Sequence, residues 1–176
     1  MIEYFKNDWK QTEEDSHVIK CMKKSFTILD VGCGFNQYKK FCSKRQSFLG
    51  IDIVNENADE ICDIIDFNNS LSYDLIICYG SINFYNKEWV DIRMKKVFSL
   101  LSKDGGSRVC MKVNPGHPHA DGTMLDFFPW SMKYAQELSA KYNLSVENYR
   151  EGSLGRFKFD FVRYNYLQQE DIHNFI

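Results

Sequence analysis

The sequence predicts one α/β domain, a mostly parallel sheet with helices on both faces. Three observations lead there. Short apolar runs recur at residues 26–31, 47–53, 73–79 and 107–113, without the strict alternation of a half-exposed strand. The last two runs flank a long amphipathic stretch, the strand–helix–strand order that a parallel pair requires. The first run leads into a glycine-rich turn, Ile28-Leu29-Asp30-Val31-Gly32-Cys33-Gly34-Phe35-Asn36. A buried strand that feeds a helix ends this way, because glycine tolerates positive φ and lets the backbone approach a ligand closely.

Composition sets the outer bounds. A chain of 176 residues is long enough for one domain with a sizeable core, and 44% hydrophobic and 15% aromatic residues place it among folding rather than disordered sequences. A formal net charge of −2 gives no bulk electrostatic grip on nucleic acid, so a nucleic-acid partner is not favoured. The six cysteines form no C-x-x-C pair, which argues against a zinc ribbon or a thioredoxin-type site, and those in apolar runs suit buried reduced thiols. A charged N-terminus without a signal peptide, and no apolar run of spanning length, make a cytoplasmic protein without a membrane partner the expectation by elimination.

The elements follow in order. Residues 1–24 are expected to form a short helical extension: Thr12-Glu13-Glu14-Asp15-Ser16 suits a helix start, and Val18, Ile19 and Met22 then share a face that packs beside the sheet or, as the alternative, covers the site. Strand one is 26–31. A helix over 36–45 places Tyr38, Phe41 and Cys42 on one face, with Asn36 at its start and Lys39, Lys40, Lys44 and Arg45 toward its end. Strand two is 47–53. The connection 54–59 is too short for a crossover helix and must be a loop. Strand three is 60–65, and strand four is 73–79 after a polar loop. Helix 87–101 carries Val90, Met94, Val97, Phe98 and Leu101 on one stripe and stops before Gly105-Gly106. Strand five is 107–113. The stretch 114–129 holds all three prolines together with His117 and His119, and a loop of that length at the carboxyl edge of a sheet is expected to act as a substrate lid. A helix over 130–142, a strand over 144–149, a glycine turn and an alternating strand over 157–166 complete the chain.

A Gly-x-Gly turn alone is an ordinary connection, and the dinucleotide fingerprint asks for a third glycine where this chain has Gln37. The spacing Asp30-x-Gly32-x-Gly34-x-Asn36 instead resembles motif I of the class I S-adenosylmethionine-dependent methyltransferases, with Asn in place of the last glycine. Three further correspondences occur in the right order. Asp52 stands at the end of strand two, 20 positions beyond Gly32, where an acid is placed for ribose hydroxyls. Tyr73-Asp74-Leu75-Ile76 resembles the family's F-D-L-I, and Leu100-Leu101-Ser102-Lys103-Asp104-Gly105-Gly106 resembles its L-L-K-P-G-G.

The resemblance implies a Rossmann-like, doubly wound, seven-stranded sheet of order 3-2-1-4-5-7-6, covering about residues 26 to 166. It implies methyl transfer from S-adenosylmethionine, leaving S-adenosylhomocysteine, to a small molecule or an exposed group on a protein partner. Asp30 would face the donor's positive charge, and Gly32, Cys33 and Gly34 would bring the backbone close. Asp52 and Ile53 would hold the ribose. Asp63 and Ile64 would hold the adenine, with Asp66 as the alternative acid. Tyr79 and Gly80 would lie beside the methyl group, with residues 79–85 lining the reaction chamber. Tyr79, His117 and His119 are the candidate catalytic side chains, the histidines as general base. His117-x-His119-x-Asp121, with Asp126 nearby, has metal-like spacing but lies in a proline-rich loop, and no metal is expected. The N/D-P-P-Y/F of DNA-amine methylation is replaced by Cys78-Tyr79-Gly80-Ser81, and Lys112 lacks the aspartate that accompanies such a lysine in RNA 2′-hydroxyl methylation. The alternative to an enzyme is a domain of this fold that binds the donor, or has lost it, in a regulatory or assembly role. A nicotinamide-dependent reductase is disfavoured by Gln37.

Overall fold

The computed structural model describes residues 14–113, 127–152 and 156–164. Five strands run parallel: β1 (Thr27–Val31), β2 (Ser47–Asp52), β3 (Glu60–Ile61), β4 (Leu75–Tyr79) and β5 (Arg108–Val113). Antiparallel to them, β7 (Phe157–Arg163) inserts between β5 and β6 (Leu144–Glu151). The sheet has seven strands in the order β3-β2-β1-β4-β5-β7-β6, as expected.

Successive strand residues point to opposite faces, so the sheet builds two cores. On one face Leu29, Ile76, Val109 and Phe159 meet α2 (Lys87–Leu100) and α3 (Met132–Lys141). On the other, Ile28, Leu75, Ile77 and Cys110 meet Val18, Cys21 and Met22 of α1 (Ser16–Met22), together with Tyr38. Helices therefore cover both faces. Asp74 ties β4 to β1: its Oδ2 accepts from the backbone N–H groups of Phe26 (2.8 Å) and Thr27 (3.0 Å). Helices α1, α2 and α3 each begin on a side-chain cap: Asp15 accepts from His17 N–H, Asn86 from Trp89 N–H, and Ser131 from Tyr134 N–H. No helix among the described residues is long and apolar enough to cross a membrane.

Several boundaries differ from expectation. The helix expected over 36–45 is a single 3-10 segment, Gln37–Phe41, with only Tyr38 buried. Asn36 enters it left-handed (φ 56°) and Cys42 leaves it extended, while Lys39 and Lys40 are drawn out to Asp59 and Glu14. One buried ring does not offset the cost of nucleating a longer helix. The third strand is two residues, not six, because Asp63 folds back: its Oδ1 accepts from Ile65 N–H at 3.1 Å, an Asx turn. The sixth strand runs longer than expected, to Glu151, with an irregularity between Glu147 and Arg150. Tyr4, Phe5 and Trp9, and the end of the last strand beyond 164, lie outside the described residues.

Candidate functional site

The carboxyl ends of β1, β2 and β4 meet along one edge, and the glycine turn after β1 is stitched to β2. Gly32 N–H and Cys33 N–H both donate to Ile51 O, at 2.8 and 3.0 Å. Gly34 N–H donates to Asp52 Oδ2 at 3.1 Å. Asn36 stands where the resembling motif has its last glycine. It keeps the left-handed conformation that glycine would supply, as Asn tolerates. Its amide donates to Asn57 O (3.0 Å) and to Asp59 Oδ2 (3.3 Å). Gly50 makes room for this side chain: a Cβ there would lie 2.4 Å from Asn36 Oδ1.

Gly32 combines a φ of +68° with a close neighbour, since a Cβ added to it would lie 2.4 Å from Ser81 Cβ. Gly32→Ala is expected to destabilise the chain by about 2–3 kcal/mol, from left-handed strain plus overpacking. Chemical denaturation measures the loss, and Ser81→Gly in the same chain should recover the packing part.

Asp30 is 3% exposed, and its Oδ2 has no hydrogen-bond partner among the described residues. Burial, and then the neighbouring charge of Asp52, push its carboxyl up to about 8. Asp52 is equally buried but well bonded: Oδ2 accepts from Gly34, and Oδ1 accepts from Val54 N–H (3.0 Å) and Asn55 N–H (3.1 Å). A carboxylate offers about four lone-pair positions, so roughly one remains for a ligand hydroxyl, not the free pair that a bidentate grip requires. The buried Cys33 thiol is pushed above its ordinary range by burial and by the charges of Asp30, Asp52 and Asp59.

The remaining expected residues divide into three groups. Ile53 is 43% exposed just past β2, open to a planar apolar ligand. Gly80 (φ +83°) is exposed past β4, with nothing among the described residues within 4 Å of an added Cβ. By contrast, Ile64 is buried in the α2 and α3 core, and Asp63 is paired with Arg93 of α2 at 2.5 Å, the guanidinium lying over the Trp89 ring. Asp66, the alternative acid, is exposed. Within 79–85, Ile82, Asn83 and Phe84 are buried, so only part of that stretch borders the edge. Trp130 Nε1 donates to Ile82 O at 2.9 Å and clamps this loop to the start of α3. His117, His119, Asp121 and Asp126 lie outside the described residues.

Tyr79 packs edge-on against Tyr38, and its buried hydroxyl has no partner among the described residues. Burial holds its phenol well above the ordinary range, so it stays protonated and suits hydrogen-bond donation, not proton abstraction. Tyr79, Lys112 and Lys158 stand in register across β4, β5 and β7. Burial, with the nearby Arg156 and Lys158 charges, lowers the Lys112 amine. Sequence reasoning missed the residues behind Tyr79. Tyr38 accepts from Asp15 N–H through its hydroxyl, and the Asp15 carboxylate is gripped by Lys158 (2.6 Å) and Arg150 (3.3 Å). The Asp15 pairs with Lys158 and Arg150 join residues more than a hundred positions apart, and no local pattern announces them.

No family model matches this sequence, and no curated protein is significantly similar to it in sequence. In three dimensions the chain is similar to several methyltransferases. The magnesium protoporphyrin IX methyltransferase of Synechocystis PCC 6803, solved with S-adenosylhomocysteine, superposes with a TM-score of 0.66 over 92% of this chain and 93% of that one, at 12% identity. The 1,6-didemethyltoxoflavin-N1-methyltransferase of Burkholderia thailandensis gives 0.64 over 85% and 78%, at 11% identity. The N-methyltransferase NodS of Bradyrhizobium japonicum WM9, also with S-adenosylhomocysteine, gives 0.61 over 93% and 97%, at 11% identity. The chain has the fold of the class I S-adenosylmethionine-dependent methyltransferases.

Proposed function

We propose that this protein transfers a methyl group from S-adenosylmethionine to a small molecule or to an exposed group on a partner protein. The observation that supports this most is Asp30, a fully buried acid with an unpartnered oxygen beside the glycine turn. Such a group is expensive to keep unless a cation neutralises it. A donor that carries an ammonium and a sulfonium, and no phosphate, fits an acid here better than a dinucleotide does. The donor would supply a methyl group on a sulfonium, which leaves as a neutral thioether and needs no acid.

The chain's own contribution is then placement and exclusion of water. Gly32, Cys33 and Gly34 would border the donor through backbone, the last lone pair of Asp52 would take a hydroxyl, and Ile53 would cover an apolar face. Tyr79 would donate a hydrogen bond while remaining neutral. The acceptor would approach past Gly80, which is exposed at the end of β4.

A second reading, a donor-binding or degenerate domain without catalysis, draws support from the commitment of Asp63 to Arg93 and of most of Asp52 to backbone. Calorimetry with S-adenosylmethionine, S-adenosylhomocysteine and NADH, followed by a mass-shift screen of acceptors, tests both readings. The expected result is heat from the first two only, and a methyl-sized mass gain on an acceptor. Binding without any methylation across a broad panel favours the donor-binding form of the second reading, and no binding at all removes the first reading and leaves only the degenerate domain.

A further inference from the structure

We propose that His17, Cys21, Cys110 and Asp160 form a zinc site that fastens α1 to the sheet. His17 and Cys21 are four apart on α1 and so share one helical face. Cys110 lies in mid-β5, with Asp160 directly opposite it on β7 and on the same sheet face. The fold thus brings two donors of the helix down onto two donors of the sheet. One ligand atom from each residue lies within 4.8 Å of all the others. Tetrahedral ligands about 2.0–2.3 Å from one zinc stand roughly 3.3–3.8 Å apart, so the cluster needs only small side-chain adjustments. Of its distances, the 3.5 Å from His17 Nε2 to Cys21 Sγ already falls in that range, and the 2.7 Å from His17 Nε2 to Asp160 Oδ2 would lengthen to reach it.

The surroundings also call for a cation. Asp160 and Cys110 are 0% exposed and Cys21 is 7% exposed. Asp160 Oδ1 is buried without a hydrogen-bond partner. Its other oxygen accepts from Asn148 Nδ2 at 2.8 Å and lies 3.4 Å from Arg108 Nη1. Asn148 sits at the irregularity in β6 with φ 53°, the kind of local distortion that re-aims a side chain. Two thiolates and a carboxylate around Zn²⁺ leave one negative charge, and Arg108, with Nη1 3.9 Å from Cys21 Sγ, stands beside the cluster to balance it. Two sulfurs, an imidazole and a carboxylate suit zinc, and four protein ligands close the shell, which marks a structural rather than a catalytic site. Binding would release both thiol protons to solvent. The device also answers a structural need, because α1 has seven residues and is too short to hold by itself. The cluster lies beneath α1 in mid-sheet, apart from the glycine turn, so it does not depend on the methyltransferase reading.

The test uses the full chain, reduced and stripped with a chelator, titrated first with Co²⁺ and then with Zn²⁺. The expected result is one Co²⁺ per chain, with intense tetrahedral absorption in the visible and a thiolate-to-cobalt band in the near ultraviolet, both bleached by one equivalent of Zn²⁺. Cys110→Ser should weaken that band or abolish uptake. Asn148→Gly tolerates the positive φ and should keep the band while weakening affinity about 10- to 100-fold. Cys42→Ser should match the unaltered chain. Absence of stoichiometric uptake by the reduced unaltered chain overturns the proposal. So does a weak octahedral spectrum, or a thiolate band that survives unchanged in both Cys21→Ser and Cys110→Ser.

Discussion

Asp30→Asn should melt roughly 10 °C above the unaltered protein at about pH 9, and close to it at about pH 5. The cause is the buried carboxyl, raised from an unfolded value of 3.8 to about 8 by burial and by Asp52. Between those values the folded chain keeps a proton that the unfolded chain has released. Stability therefore falls as pH rises, by about 1.4 kcal/mol per unit, and levels off above the folded value. Across the window the loss is on the order of 5 kcal/mol. Asparagine does not titrate, so the variant lacks this slope and gains on the parent as pH rises. The same substitution should weaken S-adenosylmethionine binding about 10- to 100-fold, the loss of one charge-assisted contact. Scanning calorimetry across pH and isothermal titration provide the two measurements. A variant equally stabilised at every pH would show that Asp30 carries no such shift, and unchanged affinity would remove it from the donor site.

Asp52→Ala should cost about 3–5 kcal/mol and lower the melting temperature by roughly 10 °C. Three backbone N–H groups, of Gly34, Val54 and Asn55, lose their acceptor at once. Two of them close the turn after β2, and the third holds the glycine turn against it. Asp52→Asn keeps one oxygen to accept and should lose about half as much. That milder variant is the one for binding: its affinity for S-adenosylhomocysteine should drop about 10- to 100-fold while the chain stays folded. A dissociation constant equal to the parent's would confine Asp52 to holding the loops. Equal melting temperatures for the alanine variant and the parent would contradict the three bonds themselves.

The parallel strands were legible because strands covered on both sides are written as unbroken apolar runs, such as Leu75-Ile76-Ile77-Cys78. The place of β7 between β5 and β6 is not a property of any local pattern, and the resemblance carried it. Two features were hidden for a common reason: their partners are distant in sequence. Lys39 and Lys40 read as the cationic end of a helix, but Asp59 and Glu14 draw them outward and the segment stays short. Asp63 read as a free acid at a strand end, whereas Arg93, 30 residues on, claims it. Asp52 read correctly as the acid at the carboxyl edge, yet spacing alone cannot reveal that local N–H groups use most of its lone pairs. The His17, Cys21, Cys110 and Asp160 cluster is the extreme case, because only the antiparallel register of β5 with β7 and the seat of α1 bring its members together.

The near-contact between Gly32 and Ser81 reaches beyond stability. One residue belongs to the segment after β1 and the other to the segment after β4, with no slack between them. The two walls of the edge must therefore shift as a single body. Opening for exchange would fall to parts of the chain that hinge elsewhere, and a larger side chain at either position would be tolerated only alongside a smaller one at the other.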